Sequence, residues 1–300
     1  MDMVSIVIPT HKGSDIICRA VDSALGQDYE NIEVIVVDDN GLGTHFQLET
    51  EGKLQKYKDN PKVKYIKHEK NLNGSAARNT GVSNAEGKYI ALLDDDDIFH
   101  PSKIRIQIER LSGKSKDHAF CYTSYENIFF DGRRRVIMAE KEGDICFGLL
   151  SMQVSLLSSV LLVSKDAWLE TGGFDTTMKR DQDIEFCVRL SQKYKAVAVP
   201  QVCMTRYVLK RNTPSDVERG VEFRKHYILK VAPIINSFDK EKQKAIYTAQ
   251  NIEIAKRYFK QKNLLKCIKY IFKTGTPFTA LKKLFISFLS YRKNIKENRF

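Results

Sequence analysis

Apolar residues recur in two alternating rhythms over the first hundred positions. The runs MVSIVI, NIEVIVV, KVKYIK and KYIALL read as strands, and between them lie DIICRAVDSALGQ, a polar helical stretch from about Thr44 to Lys58, and a helix around Ala76 to Asn84. Strands alternating with helices of this length predict βαβ units and a parallel sheet. IEVIVV and YIALL carry no polar alternation, which suits strands buried on both faces. After Asp97 the rhythm changes. Pro101 suits the first turn of a helix that continues as SKIRIQIERL; a strand at AFCYTSY, a hairpin across Asp131 and Gly132, and a helix near DQDIEFCVRLSQ follow. From about Asp216 onward the pattern is helical, with no further strand.

One stretch departs from both rhythms. Ile145 to Ser164 holds no charged residue, long enough to suggest a membrane span. It also holds five serines, Gln153 and a glycine, and SSVLLVS reads as a buried strand, so a span is not expected. The opening MDMVSIVIPT lacks a basic region and a cleavage site, so no secretory leader is expected.

Composition narrows the classes. At 300 residues and 42% hydrophobic content, the chain can form one large domain, or a domain of about 200 residues with an appendage, and disorder is not indicated. The six cysteines form no C-x-x-C pair, which argues against a disulfide framework or zinc knuckle and for a reducing, intracellular setting. Charge is placed unevenly. Residues 201–300 carry a net +16 and the first 200 a net −4, an acidic body with a basic tail of the kind that meets an anionic partner.

Candidate chemistry sits where the parallel strands end, since open α/β sheets bind ligands outside the carboxyl ends of their strands. Asp38 and Asp39 close IEVIVV, Asp94, Asp95, Asp96 and Asp97 close YIALL, and PTHKG closes the first strand. Four neighbouring carboxylates repel one another, and a hard divalent cation with oxygen ligands would offset that repulsion. The bland alternative for the tetrad is a solvated acidic loop before a helix N-terminus.

In this order and spacing, VSIVIPTHKG, IVVDDNG, NLNGSAARNTG, YIALLDDDD, GGFD and QDIEFCVRL resemble the inverting family 2 glycosyltransferases with a GT-A fold, over roughly residues 3–210. The resemblance implies an α/β fold of GT-A type, Rossmann-like, with a mostly parallel central sheet flanked by helices. It implies a catalytic domain over 1–210, with a nucleotide-sugar half at about 1–100 and an acceptor half at about 101–210, and a helical, basic extension over 211–300. It further implies that Pro9, Thr10, His11, Asp38 and Asp39 hold the nucleoside and that Arg78 lies by the base or diphosphate. Asp94, Asp95 and Asp96 complete the donor site, with Asp96 and Asp94 holding Mn²⁺ or Mg²⁺. Asp183, after Gln182 and six residues before Arg189, would be the general base. His11 has a plain loop role as its alternative, Arg78 a salt-bridged helix role, and Asp183 a helix N-terminal one; Trp168 is expected in the core rather than on a sugar.

In the tail, Leu264, Leu265, Ile268, Ile271 and Phe272 share one helical face and Lys262, Lys266, Lys269 and Lys273 the other; Phe278, Leu281, Phe285, Phe288 and Leu289 repeat the theme. These helices are expected to meet an anionic membrane surface, with packing on the body as the alternative. No nucleic-acid motif is present. The expected activity is metal-dependent transfer, with inversion, from a nucleotide-sugar donor, foremost a UDP-sugar, to a saccharide or lipid-linked saccharide acceptor. The expected setting is bacterial surface-polysaccharide synthesis, cytoplasmic and peripheral on the inner face of the cell membrane. A sugar nucleotidyltransferase and a non-catalytic assembly scaffold are the rivals; PTHKG lacks the glycine-rich basic loop the former needs.

Overall fold

Four parallel strands begin the sheet: β1 (Val4–Thr10), β2 (Ile32–Asp38), β3 (Val63–Lys67) and β4 (Tyr89–Leu92). They stand in the order β3-β2-β1-β4. Every residue of β1 and β2 is buried, as their unbroken apolar runs require. Helices α1 (Ile17–Leu25), α2 (His45–Leu54) and α3 (Gly74–Ser83) connect them. This computed structural model describes residues 1–208, 216–275, 277, 278 and 280–282.

The second half extends the same sheet. Strand β5 (Asp97–Phe99) and helix α4 (Lys103–Leu111) follow the aspartates, then β6 (Phe120–Phe129), β7 (Arg134–Ile137), the short helix α5 (Cys146–Leu150) and β8 (Leu161–Ser164). Helices α6 (Lys165–Thr171) and α7 (Gln182–Lys193) lead to the long strand β9 (Ala196–Val208). The order continues β4-β8-β6-β9-β5, with β7 paired to β6 as a hairpin closed at Gly132, whose φ is +81°. Among the described residues, β8, β5 and β7 are the strands that run against their neighbours.

Two strands and the short helix α6 escape the sequence pattern. β5 precedes the expected helix, which starts at Lys103 after a turn at Pro101. β9 runs unbroken through Pro200, a residue that counts against a central strand. The structure seats it at a register shift of the β6–β9 ladder, where Ser124 Oγ donates to the Pro200 carbonyl at 2.8 Å. The uncharged stretch is no single helix: it is divided among α5, a 3₁₀ turn at Ser158–Val160 and β8. Among the described residues, no helix is long and apolar enough to cross a membrane. Trp168 is core, packed against Phe174 and Phe186 with ring centroids 5.2 and 4.6 Å away.

By its contacts the chain forms two compact units, one of residues 1–146 with 155–209, the other of 147–154 with 210–300. The second contains α8 (Val217–Asn236), α9 (Lys240–Lys260) and α10 (Leu264–Phe272). Asp216, Asp239 and Asn263 cap them, each accepting a backbone N–H three residues on. Tyr258 of α9 stacks on Tyr270 of α10 at 5.7 Å, within a core that includes Ala255, Cys267 and Ile271. Ile271 therefore parts company with Leu264, Leu265, Ile268 and Phe272, which are exposed. Phe285, Phe288 and Leu289, and the expected boundary near residue 210, lie outside the described residues.

Candidate active site

The carboxyl ends of β1, β2 and β4 open onto one cleft of ≈ 230 Å³, lined by Pro9, Thr10, His11, Asp39, Gly74, Ala77, Arg78, Asp94, Asp95 and Asp96. Acids more than fifty residues apart meet there because β1 lies between β2 and β4. Of the residues expected at the donor site, Asp38 does not line this cleft.

Asp38 and Asp39 diverge. The buried Asp38 carboxylate accepts from Tyr65 Oη at 2.6 Å and from Asn40 N and Nδ2 at 2.9 and 2.8 Å. Asn40 Oδ1 in turn accepts the Lys12 N–H at 2.7 Å, so Asp38 braces the turn after β1. Asp39 faces the segment before α3. Its Oδ1 accepts from Leu72 N and contacts His68 Nδ1, both at 2.7 Å, while Oδ2 accepts from Asn73 N and Asn71 Nδ2 at 2.9 and 3.0 Å. Asn73, at φ +82°, caps α3 by accepting from Ser75 N.

Thr10 Oγ1 donates to Asp95 Oδ2 at 2.6 Å, tying β1 to the aspartates. Gly13 permits this approach: a Cβ on it would lie 2.1 Å from Asp95 Oδ2 and 2.7 Å from Thr10 Oγ1. On the other wall Arg78 is buried and forms an ion pair with Asp94 through Nη2. Burial works against its charge, but Asp94, with Asp183 and Asp95, holds the guanidinium pKa above its ordinary value. Ser158 Oγ also donates to Asp94, at 3.0 Å, and Ser159 Oγ to Asp97 at 2.6 Å.

These serines were not assigned from sequence to the aspartates. The available signal was a polar pair entering the otherwise apolar SSVLLV, next to β4 in the sheet. Asp97 is buried, and burial first, then Asp94 and Asp96, raises its pKa well above the carboxylate range. Asp94, Asp96 and Asp97 present oxygens within 4.8 Å of one another, and Asp97 Oδ1 is buried without a hydrogen-bond partner. An all-oxygen set with an orphaned carboxylate oxygen fits a hard divalent cation.

Asp183 stands in the first turn of α7, beside the cleft rather than in its lining. Gln182 Oε1 is 4.0 Å from the Cβ position of Gly74, and Asn73 Nδ2 donates to the Thr176 carbonyl at 3.0 Å, which places the start of α7 against the start of α3. Burial raises the Asp183 pKa to about 6; Asp181 and Asp94 add to the rise, while Arg78 and the Ile184 N–H oppose it. The helix is held in place by Arg189, which pairs with Glu185 and donates to the Gly173 carbonyl at 2.8 Å. Asn79 of α3 exchanges two hydrogen bonds with the backbone of Phe174, at 2.8 and 2.9 Å.

The arrangement can bind an anion beside a cation and present a poised carboxyl to a proton donor. Comparison with known proteins places the chain among glycosyltransferases. The sequence model of the family described as "Glycosyl transferase family 2" matches residues 5–164. The amylovoran biosynthesis glycosyltransferase AmsB of Erwinia amylovora is 27% identical over 265 residues, covering 85% of this chain and 84% of that protein. Other curated relatives are longer, and the matched stretch is 27% and 31% of the length of two of them. Among solved structures, TarS 1-349 of S. aureus in complex with UDP-GlcNAc has a TM-score of 0.63 at 15% identity, covering 92% of this chain and 81% of that one. Mannosyltransferase PcManGT of Pyrobaculum calidifontis in complex with GDP-Man and Mn²⁺ has a TM-score of 0.64 at 16% identity, covering 98% and 82%. These likenesses show the GT-A type of α/β fold.

Proposed function

Because the chain belongs to glycosyl transferase family 2, we propose that it moves a sugar, with inversion, from a nucleotide-sugar donor to a hydroxyl of a saccharide or lipid-linked saccharide acceptor. The observation that carries this reading is the cleft in which Asp39, Arg78 and Asp94–Asp96 converge beside Asp183. A UDP-sugar is the proposed donor and bacterial surface-polysaccharide synthesis, such as capsule formation, the proposed setting. Two relatives support this reading: AmsB, named for amylovoran biosynthesis, and TarS, solved with UDP-GlcNAc.

Each residue is given the role that its position supports. Asp39, Thr10 and His11 receive the nucleoside, with Pro9 shaping the wall and Asp38 steadying the turn through Asn40. Arg78 offers its guanidinium to the diphosphate, held in aim by Asp94 and by its bond to the Gly74 carbonyl at 3.1 Å. Asp96 and Asp94 would hold Mn²⁺ or Mg²⁺, with Asp95 anchored on Thr10 at their side. When bound, the cation would supply positive charge against the negative charge developing on the departing diphosphate. Asp183 takes the proton of the acceptor hydroxyl as that oxygen attacks the anomeric carbon from the opposite face. The basic helices bring the chain to an anionic membrane on its cytoplasmic side.

The test is thermal unfolding with UDP, GDP, dTDP and CMP, each with Mn²⁺ and with EDTA. One nucleotide at about 100 times its dissociation constant should stabilise the protein by roughly 2.7 kcal/mol with Mn²⁺ only, and Asp96→Ala should abolish the effect. Absence of stabilisation by every nucleotide in the presence of Mn²⁺ would remove the donor-site reading.

A further inference from the structure

We propose that one face of α10 is a membrane-docking surface that seats the chain on a bilayer rich in anionic lipid. This deepens the membrane part of the functional reading and does not depend on the transfer chemistry.

Helix α10 carries more apolar residues than its packing uses. At 3.6 residues per turn, Cys267, Tyr270 and Ile271 fall on one side, and these are the buried ones, within the core shared with α9. Leu264, Leu265, Ile268 and Phe272 fall in a separate arc about 100° wide. They are 57%, 84%, 49% and 67% exposed, an apolar stripe open to water along the whole helix. Phe278, beyond the helix end, is 86% exposed. Isolated exposed leucines need no explanation, but four aligned on one helix face do.

Charge selects the occupant. Lys266, Lys269 and Lys273 lie in the next arc around the helix, about 60° wide. Lys262 precedes the helix, and no acid occurs between Lys256 and Lys296. Lys266 is shared with Glu218 at 2.6 Å, and Lys273 lies over the Tyr270 ring at 5.0 Å. A protein groove would ask for complementary acids around an apolar centre; a row of lysines bordering apolar side chains suits acyl chains beneath phosphate headgroups. Among the described residues no helix can cross a bilayer, so the contact is interfacial.

The experiment is co-sedimentation of the full chain with vesicles of phosphatidylcholine alone and of phosphatidylcholine containing phosphatidylglycerol. The wild type should bind the anionic vesicles and bind them less at high salt. Leu265→Glu with Phe272→Glu, and separately Lys269→Glu with Lys273→Glu, should each weaken binding at least about tenfold. Leu229→Glu, on α8 at 73% exposure and outside the stripe, should bind as the wild type does. Unfolding and nucleotide stabilisation of each variant, measured alongside, separate a docking defect from misfolding and from failure of the donor-site reading. Wild-type behaviour of the stripe variants overturns the proposal, as does absence of binding to anionic vesicles. So does a wild-type dimer that Leu265→Glu dissociates, which would make the stripe an interface between copies of the chain.

Discussion

Replacing Asp183 by asparagine should make the protein more stable and less active at once. The carboxyl is raised from an ordinary 3.8 to about 6, chiefly by burial. At 1.36 kcal/mol per pH unit, that displacement amounts to up to about 3 kcal/mol of stability withheld from the ionised folded state. Below pH 3.8 the folded and unfolded forms are both protonated and nothing is lost; between 3.8 and 6 the unfolded chain ionises first and stability falls; above 6 the whole penalty is present. Asparagine cannot ionise, and its side-chain oxygen can accept the Ile184 N–H as Asp183 Oδ1 does at 2.9 Å. Urea unfolding in EDTA should show Asp183→Asn more stable than wild type by up to about 3 kcal/mol at pH 8 and equal to it at pH 3.5. Turnover, followed by nucleotide release at saturating donor, should fall by about 10²–10⁴ with donor affinity unchanged. A stability gain of equal size at both pH values, or turnover within about tenfold of wild type, would refute the assignment of Asp183 as a half-buried, raised-pKa base.

Three further substitutions probe the frame around it. Gly13→Ala should disrupt the Thr10–Asp95 contact, since its Cβ would sit 2.1 Å from Asp95 Oδ2, and calorimetry should show nucleotide binding at least about tenfold weaker with the fold intact. Asp39→Asn turns an amide toward backbone donors that a carboxylate now satisfies; chemical unfolding should show a loss of about 3 kcal/mol. Gly81→Ala places a methyl 2.3 Å from Val7 Cγ1, between α3 and β1. Crowding of about 1–3 kcal/mol should exceed the ~1 kcal/mol gained in helix propensity, so the melting temperature should drop.

The parallel strands and the acids at their ends were legible because a strand buried on both faces leaves an unbroken apolar run, and polar residues where it stops stand out. Which acid faces the cleft was not. Asp38 and Asp39 are adjacent in sequence, yet partners 27 and more residues away, Tyr65 for one and His68 with Asn71 for the other, decide their aims. The same limit hid Ser158 and Ser159, whose link to Asp94 and Asp97 exists only because β8 pairs with β4. β9 was masked by Pro200, whose place at a register shift is set by the partner strand β6 and not by local pattern. In α10 the helical period marked the apolar positions, but only packing against α9 divided them into a buried set and an exposed one.

The clasp between α3 and α7 has an engineering consequence. Asn79 grips the backbone of Phe174, and Arg189 grips Gly173 while bracing Glu185, so the helix bearing Arg78 and the helix bearing Asp183 share one mount. Exchanging the GGFD segment without its matching Asn79 should therefore displace Asp183 and Arg78 from one another.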